Sequence, residues 1–120
     1  MLEIRERAFF TCRIDDDGDI FVRDVINFYI YRAADGLLLT AIFDFREGMD
    51  REAMQAVARA ANRGDWLGRF RLDDEVDFLR AEHYIVLKGG ITVRNFGQAL
   101  RRYANAVFQQ MRGVHREVIA

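Results

Sequence analysis

Two hydrophobic rhythms alternate along this 120-residue chain, and their order limits the fold more than any single residue does. Period-two patterns run over about 8–14, 20–32 and 37–46, followed by a helical pattern over about 50–62. Two more strand-like runs, about 66–72 and 76–88, lead into an amphipathic stretch over about 92–117. The order β-β-β-α-β-β-α predicts an α+β fold: a single antiparallel five-stranded sheet with its helices on one face. The other face is then solvated or covered by something outside the chain.

Glycine and aspartate supply the punctuation, because the chain has no proline. Asp17-Gly18 and Asp35-Gly36 each separate apolar runs, as in two-residue hairpins whose central residues need positive φ. Turning at Asp35-Gly36 pairs Ile30 with Ala41 and Phe28 with Phe43 on an apolar face. Tyr31 then meets Thr40, and Tyr29 meets Ile42, on the other. Extending the pairing back through Asp17-Gly18 sets Phe10 against Val25 and Ile14 against Phe21 on that second face. Asp24 falls on the core side of a long second strand, a conflict that a bend near Arg23–Asp24 would relieve. Asp50 and Thr92 stand where helix N-caps belong, and Gly64 where a left-handed C-cap belongs. Val93, Phe96, Leu100, Tyr103, Ala104, Val107, Met111, Val114 and Val118 form one stripe of the last helix. Its expected length is about 40 Å, enough for its end to project.

Composition narrows the chemistry. A length of 120 residues fits one domain, 1–120. There is no serine for a serine hydrolase, and the lone Cys12 allows neither an internal disulfide nor a thiolate cluster. No apolar run reaches membrane-spanning length, and the start of the chain is no signal peptide, so a cytoplasmic protein is expected. Asp15-Asp16-Asp17-Gly18-Asp19 fails the calcium-loop spacing in either frame, since glycine at position 6 and glutamate at 12 do not fall in place. His83 and His115 lack partners at ligand spacing, which leaves no metal, cofactor or catalytic set to name. A Cys12–His83 pair in a pocket is what an enzyme or a small-molecule sensor would require.

Two surfaces remain. Residues 92–120 carry a net charge of +4 against −5 for 1–91. Arg94, Arg101, Arg112 and Arg116 lie on one helix face, where an acidic partner or, as a weaker reading, nucleic acid could dock. A solvated helix face is the plainer explanation of them. Phe10, Phe21, Tyr29, Tyr31, Leu38 and Ile42 gather on the second sheet face, where aromatic and aliphatic groups mark a protein interface.

Ala61-Asn62-Arg63, the strand Gly68-Arg69-Phe70-Arg71-Leu72-Asp73, and Gly89-Gly90-Ile91-Thr92 before the last helix resemble the YbjN family of bacterial sensory transduction regulators. The resemblance covers roughly residues 8–115. It implies the fold of type III secretion chaperones, α-β-β-β-α-β-β-α, and a non-catalytic regulator or adaptor that binds a protein or peptide client. It also implies a first helix of several turns, where only about seven residues precede the first expected strand here. A more open sheet, and a homodimer that compensates, are the expectation.

Overall fold

The computed structural model describes residues 2–5, 11–14, 19–73, 75, 77–114 and 118–119, with the backbone alone at 2–5, 11, 12, 118 and 119. In chain order the elements are β1 (Leu2–Arg5), β2 (Thr11–Ile14), β3 (Ile20–Arg23), β4 (Asn27–Arg32), β5 (Gly36–Phe45), α1 (Arg51–Ala61), β6 (Arg69–Leu72), β7 (Phe78–Val86), α2 (Val93–Met111) and β8 (Val118–Ile119). One antiparallel sheet takes them in the order β1-β2-β3-β4-β5-β7-β6, and β8 pairs with the far end of β5. The fold class is the expected α+β, with a single antiparallel sheet. The sheet has eight strands among the described residues instead of five.

The extra strands have physical causes. The run expected as one strand, 20–32, reverses at Asp24–Ile26, so that β3 and β4 pair with each other, Phe21 against Tyr29 and Val22 against Phe28. A continuous strand would have pointed Asp24 into the apolar core. At the reversal its carboxylate lies 4.0 Å from the Arg101 guanidinium of α2. The β4–β5 hairpin turns one residue earlier than Asp35-Gly36 implies: the Ala33 amide donates to the Gly36 carbonyl at 3.0 Å around Ala34-Asp35. Tyr29 therefore meets Thr40 and Tyr31 meets Leu38, a slip of two residues that keeps each side chain on its expected face. Gly36 is required for another reason, because a Cβ there would sit 2.0 Å from the Ile85 carbonyl oxygen of β7. The β2–β3 register is off by one: Arg13 faces Phe21 and Ile14 faces Ile20, which replaces the expected Ile14–Phe21 pair. The expected Asp17-Gly18 turn and the Phe10–Val25 pair involve Phe10, Asp17 and Gly18, which lie outside the described residues.

Both helices bury into one core on one side of the sheet. Met54, Val57 and Ala61 of α1 and Leu100, Tyr103, Ala104, Val107 and Met111 of α2 pack with Phe28, Leu39, Ala41, Phe43, Phe70 and Leu79. Tyr103 is fully buried and donates its hydroxyl to the Ala81 carbonyl at 2.5 Å, so its polar tip is satisfied in the core. Both N-caps form as expected, whereas α1 is capped at Asn62, two residues before the left-handed Gly64. Asp50 accepts from the Ala53 amide at 2.8 Å, Thr92 accepts from the Asn95 amide at 3.1 Å, and Gly64 adopts φ +66°. Val93 is mostly exposed instead of belonging to the buried stripe.

The last helix corrects the expectation of a long projecting rod. It ends at Met111, about 28 Å from its start, and the chain turns back to lay β8 beside β5. Val118 thus belongs to a strand and not to the helix. At the turn, Gly113 lies against the Arg63 guanidinium, which a Cβ would approach to 2.7 Å. Arg63 donates to the carbonyls of Gln109 and Gln110, and Gln110 donates back to those of Ala61 and Arg63. The ends of the two helices therefore cap each other.

Asn62 fixes α1 to the sheet edge. Its amide nitrogen donates to the Phe70 carbonyl at 2.9 Å, and its oxygen accepts from the Phe70 amide at 2.7 Å. The side chain thus mimics a neighbouring strand along β6. Replacing Asn62 by Ala strands both Phe70 groups, so a loss of about 2 kcal/mol is expected. Denaturant unfolding should show a lower midpoint at unchanged slope.

Candidate functional site

The face opposite the helices is organised by register. One level row crosses six strands: Arg13 on β2, Phe21 on β3, Tyr29 on β4, Thr40 on β5, Glu82 on β7 and Arg69 on β6. A second row holds Tyr31, Leu38 and Tyr84, and a third holds Ile42, Arg80 and Arg71. Phe21, Tyr29, Tyr31, Leu38 and Ile42 therefore share one open face, as expected from the sequence. Phe10 lies outside the described residues. Tyr84, Arg69 and Arg80 join them, which the sequence analysis missed. The signal was there, since Tyr84, Glu82 and Arg80 alternate along one strand-like run.

The rings contact one another. Phe21 meets Tyr29 edge-on at 5.0 Å, Tyr29 stacks near-parallel to Tyr31 at 5.8 Å, and the Arg13 guanidinium lies 5.6 Å from the Phe21 ring centre. All three rings are half-buried, whereas Ile42 (37% exposed) and Tyr84 (40%) stand further into solvent. The far side of the face is ionic. Arg71 forms a forked pair with Glu82 at 3.0 and 3.3 Å, and Arg80 pairs with Asp73 at 3.0 Å. Arg69 is exposed and makes no ion pair among the described residues. Tyr84 donates its hydroxyl to Asp35, and this bond holds the phenol in its neutral form, above its ordinary pKa. The face is thus aromatic on β3 and β4, aliphatic on β5, and charged on β7 and β6.

The other candidates are scattered. Cys12 and His83 stand on β2 and β7, four strand spacings or roughly 19 Å apart, so no Cys–His pair forms. His83 lies on the helix side, stacked 6.2 Å from Tyr103 and hydrogen-bonded to the Leu67 backbone. Burial is the main cause that pushes its pKa below the ordinary value, aided by the Arg102 charge and opposed by the Leu67 bond. Among the described residues no three His, Cys, Asp or Glu side chains group as a metal site. Of the acidic run, Asp15, Asp16, Asp17 and Gly18 lie outside the described residues, as do Arg116 and His115. Arg94 on α2 and Arg112, its C-cap, are exposed, Arg112 reaches the Gln109 side chain at 3.4 Å, and Arg101 lies 4.0 Å from Asp24. Lys88-Gly89-Gly90 forms a tight turn at φ +90° and +87°, closed by the Gly90 amide on the Leu87 carbonyl at 2.8 Å.

Thr40 is fully buried and its hydroxyl has no hydrogen-bond partner among the described residues. Thr40→Val removes an unmet polar group at equal volume, so thermal unfolding should show a gain of about 1 kcal/mol. For His83, the folded pKa lies below the unfolded value near 6.5, so its contribution is present above that value and lost as pH falls through the folded pKa. Chemical denaturation from pH 7 down to 5 should show a fall in stability, and His83→Phe should flatten that part of the profile.

The family comparison agrees with this architecture. No curated protein matches the chain. Among solved structures, the crystal structure of YbjN from E. coli, described there as "a putative transcription regulator", superposes with a TM-score of 0.67 at 14% identity. The match covers 85% of this chain and 81% of that one, and at such identity it shows a shared fold. No helix among the described residues is long and apolar enough to cross a membrane. The sequence model of the YbjN family, "Putative bacterial sensory transduction regulator", matches residues 10–109, and the chain belongs to that family.

Proposed function

We propose that this chain is a non-catalytic cytoplasmic regulator that acts by binding a protein or peptide partner through its open sheet face. The observation that carries the reading is the aromatic and aliphatic surface of Phe21, Tyr29, Tyr31, Leu38 and Ile42, which neither helix covers, since both pack on the opposite face of the sheet. Apolar faces of this kind mark interaction sites, and tyrosine combines contact area with a polar tip at low entropic cost. The family description as a regulator supports the same reading, and so does the separation of Cys12 from His83. An adaptor akin to secretion chaperones is the nearest mechanistic class.

The test is a photo-reactive phenylalanine analogue placed at Tyr31 in the native cell, with Gln98 on the exposed face of α2 as the control position. Defined adducts at Tyr31 are expected, with none at Gln98 and none at Tyr31 once Tyr29 is changed to Arg. Equal labelling at both positions, or none at Tyr31, would sink the reading.

A further inference from the structure

We infer that the partner of the open face is a second copy of this chain, packed face to face about a twofold axis that runs along β5. The inference rests on the sheet-face reading above and names its occupant. In the level row, Thr40 is central, with Tyr29 and Phe21 on one side and Glu82 and Arg69 on the other. β3 and β6 each lie two strands from β5, and β4 and β7 each lie one strand away. A twofold axis through Thr40, parallel to the strands, therefore carries β6 of the copy over β3, and β7 over β4.

This operation makes the face complementary to itself. Arg69 of each protomer comes over Phe21 of the other, and Glu82 comes over Tyr29. A guanidinium over a ring is favourable. The fold already uses that pairing within one chain, at Arg13 over Phe21 and at Arg80 over Phe78 (5.0 Å). A carboxylate has about four acceptor positions, so Glu82 can bind Arg71 and still take a hydroxyl. In the adjoining row Tyr31 comes over Tyr84 of the copy, and Leu38 meets its own counterpart. The same patch serves both subunits, as a twofold interface demands.

The area suffices. The five overlapping strands, β3 to β6, each occupying about 4.8 Å of width and averaging roughly six residues, give a footprint of about 24 by 20 Å. With side-chain relief this approaches the ~800 Å² per partner of a standard stable interface. A twofold axis perpendicular to the strands would instead put rings on rings and arginines on arginines.

Cross-linking distinguishes these geometries. Phe21→Cys chains are mixed with Arg69→Cys chains, all in a Cys12→Ala background, and oxidised mildly. A disulfide-linked heterodimer is expected, whereas Phe21→Cys chains alone should not link, because their sulfurs lie roughly 19 Å apart. Sedimentation of the purified chain should show a dimer whose Kd rises about tenfold in Arg69→Glu and is unchanged in Arg94→Glu. Circular dichroism confirms that each variant is folded. Links only between identical positions, a dimer indifferent to Arg69→Glu, or a monomer at every concentration each overturns the inference. In the monomer case, adducts of Tyr31 with other proteins leave the sheet-face reading standing, and their absence removes both.

Discussion

The arrangement depends on how the amide of Asn62 ends α1. A helix C-terminus leaves carbonyls without partners, and an edge strand leaves a row of amides and carbonyls open to pairing. Here the two deficits are settled within three residues. Asn62 occupies both polar groups of Phe70, while Arg63 and Gln110 exchange hydrogen bonds between the helix ends. The sheet is thereby finished at β6. What it offers to another molecule at this end is the flat of the sheet and not its rim.

That constraint explains the division of labour between the faces. The helix side is packed with Phe28, Leu39, Ala41, Leu79 and Tyr103, all with almost no exposure, which is the density expected of an interior. The open side is half-covered by its own side chains. Its rings lean on each other and its ions pair diagonally across β6 and β7, so little conformational freedom remains there to be lost on association. A surface ordered before contact is suited to binding without rearrangement.

Much of this was legible in the sequence. The rhythm of apolar residues identified the class, both helix starts, and the set Phe21, Tyr29, Tyr31, Leu38 and Ile42. The signature residues Ala61-Asn62-Arg63 carried the family. What escaped was non-local. Asp24-Val25-Ile26 contains neither glycine nor proline, and at its reversal the Asp24 carboxylate stays largely buried, 4.0 Å from Arg101 on a distant helix. Gly36 reads as a turn residue, yet its role is to admit the Ile85 carbonyl of a strand 49 positions later. Gly113, just past the cap of the last helix, likewise lies beside Arg63, a contact that sequence spacing does not announce. The charged half of the face was missed because its members become neighbours only when β6 and β7 fold back against β5.

The two-residue slip in the β4–β5 hairpin has a consequence for how such a surface persists. A tip that moves by one residue slides the partners by two, and the sides of both strands stay as they were. Hairpin variants with altered tips, and chains still searching for their final pairing, would thus turn the same tyrosines outward.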